Sequence, residues 1–355
     1  MIYKKLGDCI QLVSKRNSDD SIQNVVGINI AKYFMPSVAN IIDTDLTKYK
    51  VIKKWQFACN RMHVGRDNSL PVAMYIDEHD AIVSPAYDVF EVKNVAEILP
   101  EYLLLFFSRS EFDRECWFHT DADVRSGLNW QDLINITLPV LPIEEQKEIV
   151  RKYKVITDRI NVLTDINQKL EEIANILYQD FIKKIKCDYV SIFNVAKIKY
   201  GKGLQKQDLT QSGYHVFGGN GIIGYYTDYL YEEPQILISC RGAASGNILE
   251  SLPYSYVTSN SLIVELANRK YYEFIKRFLI LHPLHAYTTG SAQPQITIDN
   301  LAPLKLPYPT ESDIDQINQN LQPIADYKLK VVMELQKLTE LKDVLLPKLM
   351  TGDVN

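Results

Sequence analysis

Two places in the sequence put an arginine directly after a short apolar run: Arg61 after residues 55–60 and Arg241 after residues 235–240. Arginine and glutamine can form paired hydrogen bonds with the edges of guanine and adenine, and lysine commonly contacts phosphate. The pattern predicts DNA contact, although surface loops are polar in any protein and a plain loop is the alternative. The candidate DNA-contacting residues are Asn60, Arg61, His63, Arg66, Arg125, Ser126, Lys202, Gln205, Lys206, Gly219, Asn220, Arg241, Ser245 and Gln293.

A glycine-rich stretch offers a second kind of chemistry. Residues 217–221 read Phe-Gly-Gly-Asn-Gly, which fits the F-x-G-x-G loop with which many methyltransferases hold S-adenosylmethionine. A single glycine motif is a weak signal, and the Asn/Asp-Pro-Pro-aromatic tetrapeptide of amino-methyltransferases is missing from the sequence. The phosphate loop, H-E-x-x-H and G-x-S-x-G are missing too. We favour a tight loop whose backbone can approach another surface, with a self-contained DNA adenine methyltransferase as the alternative.

The charge of the whole chain does not indicate a nucleic-acid partner. The 355 residues include 39 basic and 44 acidic side chains, which gives a net charge of −5. This balance argues against a free-standing DNA-binding protein. It is compatible with a subunit whose partners supply part of the positive surface, because the electrostatic footprint of DNA binding is local.

The five cysteines are widely spaced and form neither a C-x-x-C pair nor a Cys/His cluster. Neither a disulfide framework nor a zinc site is therefore predicted. Free thiols are typical of a reducing compartment, and no apolar run is long enough to cross a bilayer. We expect a cytoplasmic protein with no metal of its own and no membrane partner.

A long heptad repeat is the element that organises the chain. Apolar residues recur at alternating steps of four and three from Ile149 to Phe181, which is the seam of a coiled-coil helix. The same alternation runs from Ile317 to Leu349, and an offset of 168 residues carries every position of the first seam onto the second. The chain therefore contains two copies of one long helix.

The segments before the two helices repeat as well. The run at 235–241 matches that at 55–61, and the closing run at 298–307 matches 130–139. Short β-like runs with one helix in each segment predict two similar α/β domains. The predicted fold is α+β, with these domains separated by two long helices that form an intramolecular antiparallel coiled coil with a pseudo-two-fold repeat. The predicted bounds are 1–142 and 187–309 for the domains, 143–186 for the first helix, and 310–355 for the second helix and the tail.

The length of the seam suggests a use for the helix pair. The 32 steps from Ile149 to Phe181 would span roughly 48 Å at about 1.5 Å each, compared with about 34 Å for one turn of B-DNA. A spacer of that order could hold two reading units over two segments of one duplex, which predicts bipartite recognition. Asn167 in the seam could fix the register or be a tolerated polar residue. Pro323 predicts a kink or a fresh start in the second helix.

Several junctions together carry a family resemblance. Residues 138–146 read Leu-Pro-Val-Leu-Pro-Ile-Glu-Glu-Gln and residues 304–309 read Leu-Lys-Leu-Pro-Tyr-Pro, and each leads into a long helix. The second helix lacks the Glu-Glu-Gln of the first. With residues 200–204, the loop at 217–224 and the tail at 345–352, the chain resembles the specificity subunits of type I restriction–modification systems over its full length.

The resemblance implies a non-catalytic subunit. Each α/β unit would be a target recognition domain for one half of a split double-stranded DNA site, and the helices would set the gap between the halves. The helices would also dock two methyltransferase subunits and, through them, the restriction subunits. S-adenosylmethionine, ATP and Mg²⁺ would belong to those partners, so no cofactor is expected in this chain. A coiled-coil scaffold whose α/β units bind proteins is the remaining alternative.

Overall fold

The chain folds into two compact units that are not continuous in sequence. Unit 1 comprises Met1–Arg159 with Leu338–Asn355, and unit 2 comprises Ile160–Lys337. The computed structural model describes residues 2–37, 44–120, 127–282, 284–290 and 293–351.

Unit 1 is built on a four-stranded antiparallel sheet and three strand pairs. Its strands are β1 (Ile2–Lys5), β2 (Ile10–Val13), β3 (Val26–Ile28), β4 (Phe34–Pro36), β5 (Lys50–Ile52), β6 (Phe57–Cys59), β7 (Val72–Met74), β8 (Ala81–Val83), β9 (Asp88–Val92) and β10 (Thr137–Val140). The sheet order is β2-β9-β6-β7, while β1 pairs with β10, β3 with β4 and β5 with β8. Its helices are α1 (Leu6–Cys9), α2 (Val64–Asp67), α3 (Pro100–Phe107), α4 (Ser110–Phe118) and α5 (Trp130–Asn135), with 3-10 turns at Leu46–Lys48 and Arg61–His63.

Aromatic side chains fill the space between this sheet and α3. Phe57 and Phe90 stack across the β6–β9 pair at 5.3 Å between ring centres. Phe107 packs edge-on against both rings, in the geometry that aromatic pairs prefer. The end of the chain completes this core, because Leu346 and Leu349 are buried in it.

Unit 2 repeats the plan with a four-stranded sheet, a three-stranded sheet and one strand pair. Its strands are β11 (Asp188–Ser191), β12 (Ala196–Tyr200), β13 (Tyr214–Gly218), β14 (Gly221–Tyr226), β15 (Ile236–Ser239), β16 (Ile248–Glu250), β17 (Tyr256–Val257), β18 (Ser261–Leu266) and β19 (Lys305–Tyr308). The orders are β12-β18-β15-β16, β14-β13-β17 and β11-β19. The shorter helical segments after residue 190 are α7 (Ile192–Val195) and α8 (Tyr272–Leu281), with 3-10 turns at Lys206–Asp208, Arg269–Tyr271, Leu284–Tyr287 and Asp299–Leu301.

The long helices have equivalent starts. The first of them, α6 (Ile143–Ile182), lies between the two copies of the α/β plan in the sequence, and the second is α9 (Glu311–Thr351). The predicted offset of 168 residues relates Ile143 to Glu311, and it also relates β10 to β19. The pairing Lys4↔Leu138 recurs as Val190↔Leu306. The predicted two-fold repeat is therefore confirmed, and with it the α+β fold class.

The seam of the two long helices is inside the protein, since none of its twenty positions is exposed. In unit 1, Ile149 near the start of the first long helix shares a core with Leu346 near the end of the second. In unit 2, Ala174 near the end of the first shares a core with Ile317 near the start of the second. In each unit the start of one long helix packs with the end of the other, which confirms the antiparallel coiled coil.

Two residues of the long helices carried predictions: Pro323 for the course of the second helix and Asn167 for the register of the helix pair. The second long helix does not start afresh at Pro323, because it continues without a break from Glu311 to Thr351. Pro323 and Gln319 are both exposed, so water can satisfy the Gln319 carbonyl that a proline leaves without its usual donor. The Oδ1 atom of Asn167 is buried and accepts no hydrogen bond from the described residues. Its role in register stays a prediction.

Candidate nucleic-acid interface

The topology of unit 2 gathers several predicted residues at one edge of its sheet. Strand β18 runs antiparallel to both β12 and β15, so the segments after β12 and β15 and the turn before β18 meet at the same edge. Lys202 N donates to the Val257 carbonyl at 3.0 Å, and Cys240 N donates to the Asn260 carbonyl at 3.0 Å. We call residues 200–206, 218–221, 240–246 and 257–261 the unit 2 loop edge.

A glycine fixes the first of these segments against the turn. A Cβ atom at Gly201 would overlap the main-chain oxygens of Thr258 and Val257, whereas the space around Gly203 is open. Gly201 N also donates to the Ser261 carbonyl at 3.1 Å. The absence of a side chain at Gly201 is therefore what allows Lys202 to reach this edge.

The glycine motif at 217–221 is the turn of a β-hairpin. Gly219 and Asn220 join β13 to β14, and Gly221 has a φ of +109°, which suits glycine alone. The Ser239 hydroxyl donates to the Gly219 carbonyl, and the Ser261 hydroxyl donates to the Gly218 carbonyl at 3.1 Å. The prediction of a tight loop is confirmed, and the carbonyl groups of Gly218 and Gly219 accept hydrogen bonds from serine hydroxyls of the neighbouring strands.

The unit 2 loop edge presents basic side chains to solvent. Lys202, Lys206 and Arg241 are exposed, and none of the three has an ion pair within the described residues. Gly242 N donates to the Pro294 carbonyl at 2.9 Å, which places the exposed Gln293 beside this segment. Gln205 and Asn220 are exposed at the same edge.

Ser245 does not share this exposure. Its side chain is 1% exposed, and the main-chain oxygen of Ser245 lies 2.8 Å from Nδ1 of His285. The sequence placed Ser245 among the DNA-contacting residues because it follows Arg241. The structure turns this hydroxyl inward, so DNA cannot contact it without a rearrangement of the loop.

Unit 1 has a corresponding edge, formed where β2 and β6 end and β9 begins. Leu128 N donates to the Arg61 carbonyl at 3.0 Å, and a Cβ at Gly127 would lie 2.9 Å from that oxygen. The segment that follows β6 therefore lies against the segment that precedes α5. Arg125 and Ser126 lie outside the described residues.

Three predicted residues of unit 1, Asn60, Arg61 and Arg66, have hydrogen-bond partners within the unit. Arg61 donates from Nε to the Asp88 carboxylate at 2.6 Å and from Nη1 to the Leu128 carbonyl at 2.5 Å. Asn60 caps the following 3-10 turn, in which His63 lies, by accepting from Met62 N. Arg66 is exposed and makes a two-pronged pair with Asp67 at 2.7 and 2.9 Å.

The two arginines that the sequence paired are one position out of register. Arg61 O accepts from Leu128 N, and Cys240 O accepts from Ile296 N at 3.0 Å. Leu128 and Ile296 are related by the offset of 168, so Arg61 corresponds to Cys240 and not to Arg241. Apolar runs of three or four residues match equally well in adjacent registers, and only the backbone pairing separates them.

One basic residue at the unit 1 edge was missed by sequence reasoning. The pairs Ile10↔Val92 and Ala196↔Leu266 are equivalent. In this part of the repeat the copies are therefore 186 residues apart, since 196 − 10 = 186, and Lys202 corresponds to Arg16. Arg16 is exposed. The same spacing of 186 residues relates the segments at 6–13 and 192–199. The match is hard to see in the sequence, because neither segment has a regular pattern of apolar residues.

Metal ligands and cysteines were the remaining candidates for chemistry. No group of three or more His, Cys, Asp or Glu side chains there is placed to hold a metal. Four of the five free cysteines are buried, and burial raises the pKa of the Cys9 thiol to about 11. Within the described residues, no helix is long and apolar enough to cross a membrane.

Comparison with known proteins identifies the family. The domain described as type I restriction modification DNA specificity domain matches the chain twice, over residues 4–172 and over residues 185–339. The chain belongs to this family. The two matches fall on the two copies of the α/β plan, so the internal repeat is a repeat of the family's domain.

Relatives and a solved structure agree with this assignment. The HindI specificity subunit of Haemophilus influenzae is 28% identical over 185 residues, which are 50% of this chain and 39% of that protein. The EcoprrI specificity subunit of Escherichia coli is 25% identical over 178 residues, 46% of this chain and 44% of that protein. The matched regions thus span less than half of each relative. The S subunit from M. genitalium has the same fold, with a TM-score of 0.59 and 16% identity over 98% of this chain and 96% of that one.

Proposed function

We propose that this chain is the non-catalytic DNA-specificity subunit of a type I restriction–modification complex. Unit 1 and unit 2 would each read one half of a split site in double-stranded DNA. The observation that carries the proposal is the double match to a DNA specificity domain, which gives one chain two reading units. The proposed boundaries are 1–142 and 187–309 for the target recognition domains, with the helices in 143–186 and 310–355.

The loop edges are the proposed DNA-contacting surfaces. In unit 2, Lys202, Lys206 and Arg241 are exposed cations, and such groups bind phosphates or the edges of guanine. Their clustering supplies a local positive surface on a chain whose net charge is −5, which is sufficient because the attraction to DNA is local. In unit 1, Arg16 is the proposed counterpart of Lys202.

The partners supply the chemistry in this proposal. Two methyltransferase subunits would dock on the long helices and would carry S-adenosylmethionine, while the restriction subunits would carry ATP and Mg²⁺. The seam of the helices would set the number of unread base pairs between the half-sites. We propose the cytoplasm as the site of this work, because the proposed target is double-stranded DNA inside the cell.

Methylome sequencing tests the proposal. A host that expresses the chain with its methyltransferase partner should gain modified adenines in a motif with two specified halves and a degenerate gap. Arg241→Ala should reduce modification or broaden the sequence requirement in one half of the motif and leave the requirement in the other half unchanged, because Arg241 belongs to unit 2 alone.

Lys305→Ala is the matched control, since it also removes one exposed positive charge from unit 2 but lies in β19, outside the loop edge and the long helices. It should leave the motif intact. Modification of a short continuous motif would contradict the proposal, and so would an Arg241→Ala variant that loses both halves together.

A further inference from the structure

The hairpin of the unit 2 loop edge carries two exposed isoleucines near its turn. Ile222 is 37% exposed and Ile223 is 50% exposed. Val216 pairs with Gly224 and Phe217 pairs with Ile222, so Ile223 is an extra residue in β14. An extra residue of this kind is a β-bulge, which bends a strand and redirects its side chains. Here it leaves two adjacent branched side chains outside the core.

Glycines make this end of the hairpin thin. Residues 218, 219, 221 and 224 are all glycine, and no atom lies within 4 Å of the place where a Cβ would stand at Gly221. A Cβ at Gly218 would lie 2.8 Å from the Cγ2 atom of Ile223, so a glycine leaves room for that methyl group. The side chains near the turn are therefore those of Asn220 and the two isoleucines.

Two segments that carry exposed cations, Lys206 and Arg241, approach the hairpin. Leu209 packs on Gly224, with its Cδ1 atom 3.3 Å from the position of a Cβ there, which brings the turn Lys206–Asp208 to the hairpin. The Gly219 carbonyl accepts from Ser239, directly before the segment that holds Arg241. An apolar tip beside exposed cations complements DNA, in which apolar and polar base edges lie between two rows of phosphates.

We infer that Ile222 and Ile223 enter the major groove of DNA and contact thymine methyl groups in the half-site of unit 2. The major groove is about 12 Å wide and admits a two-stranded ribbon, whereas the minor groove is only about 6 Å wide. The 5-methyl group of thymine is the apolar group that the major groove displays. The inference rests on the proposed function, and it adds specificity-determining residues that work by apolar contact.

Uracil substitution tests the contact directly, since uracil is thymine without the 5-methyl group. The full-length chain, in complex with its methyltransferase partner, is titrated with duplexes in which every thymine of the unit 2 half-site is replaced by uracil. The wild-type complex should bind the uracil duplex more weakly by about fourfold for each methyl group contacted. A double variant, Ile222→Ala with Ile223→Ala, should bind the thymine and uracil duplexes equally.

Ile76→Ala is the matched control. Ile76 is an exposed isoleucine of unit 1 that follows β7, and β7 runs antiparallel to β6, so it lies away from the loop edge. This variant should keep the wild-type sensitivity to uracil. The wild-type comparison does not depend on the folding of any variant.

Three outcomes would overturn the inference: equal wild-type affinity for both duplexes, full uracil sensitivity in the double variant, or a half-site without A·T pairs. A rise in 2-aminopurine fluorescence on binding that the double variant abolishes, with no uracil effect, would show insertion between bases instead. Sequence-specific binding with equal affinity for the thymine and uracil duplexes would contradict only this inference. Absence of any sequence-specific binding by the complex defeats the proposed function itself.

Discussion

Gln146 Nε2 donates a hydrogen bond to the main-chain oxygen of Glu97 at 2.7 Å. The same amide donates to Leu141 O at 2.8 Å and accepts from Leu99 N at 2.9 Å, and the side chain is fully buried. One residue thus ties the start of the first long helix to the loop before α3. Unit 2 has no such amide, because the offset of 168 places the buried Ile314 at this position.

Replacing Gln146 by leucine should destabilise unit 1 by about 3 kcal/mol, because it removes three hydrogen bonds and leaves buried main-chain groups without partners. Urea unfolding measures the change. Gln168→Leu, at an exposed position on the same helix, should change the free energy of unfolding by less than about 0.5 kcal/mol. Equal effects of the two substitutions would show that the buried Gln146 amide stabilises unit 1 no more than an exposed one.

Glu171 and Arg277 predict a pH dependence in unit 2. Arg277 is 1% exposed and donates to Glu171 at 2.5 Å, and Lys328 pairs with the same carboxylate. Burial by itself would raise the pKa of Glu171, but the two cations hold that pKa below its usual value of 4.5. Because the folded-state pKa is lowered, the stabilisation is present above the unfolded-state pKa and is lost as the pH falls through the folded-state pKa.

Glu171→Gln should therefore cost about 3 kcal/mol at neutral pH, since it leaves Arg277 buried without its charged partner. The difference from wild type should shrink as the pH falls below about 4.5. Thermal unfolding across this pH range measures it. Glu172→Gln, which changes the exposed neighbour, should leave the curve unchanged. A Glu171→Gln deficit that is constant with pH would contradict the assigned ion pair.

Gly201→Ala should destabilise unit 2 by about 1–3 kcal/mol, because the added methyl group overlaps the Thr258 and Val257 oxygens and the loop edge must shift. Binding to the unit 2 half-site should weaken as well. Gly203→Ala, two residues away with open space around it, should leave the stability of unit 2 unchanged. Calorimetry and DNA titration distinguish the two variants, and a harmless Gly201→Ala would refute the close approach.

Alanine at position 61 should lower the stability of unit 1, whereas alanine at position 241 should lower the affinity for DNA. Arg61→Ala removes the contacts with Asp88 and the Leu128 carbonyl from a side chain that is 23% exposed, which should cost unit 1 about 1.5–3 kcal/mol. Arg241→Ala removes an exposed side chain and should leave stability within about 0.5 kcal/mol while weakening DNA binding. Denaturation and salt-dependent DNA titration are the measurements. The same stability loss in both variants would be the contrary result.

The long helices and the repeat could be predicted because their signal is periodic in the sequence. The alternation from Ile149 to Phe181 recurs at a fixed offset, and a seam of that length has one way to be buried. The hairpin turn at Gly219 was predictable for a similar reason, since glycine and asparagine define a turn locally.

The state of individual site residues could not be predicted in the same way. Arg61 is held by Asp88 and Leu128, which lie 27 and 67 residues away in sequence. Ser245 is buried beside His285, another contact that no local pattern encodes. Long-range backbone pairing also sets the one-residue shift between Arg61 and Arg241.

The discontinuity of unit 1 has a consequence for synthesis on the ribosome. Once residue 337 has been added, every residue of unit 2 exists, while unit 1 still lacks Leu346, Leu349 and Met350 of its core. Domains usually mature in the order in which they are translated. In this chain the second unit can reach its complete core first, and the first unit waits for the final helical turns.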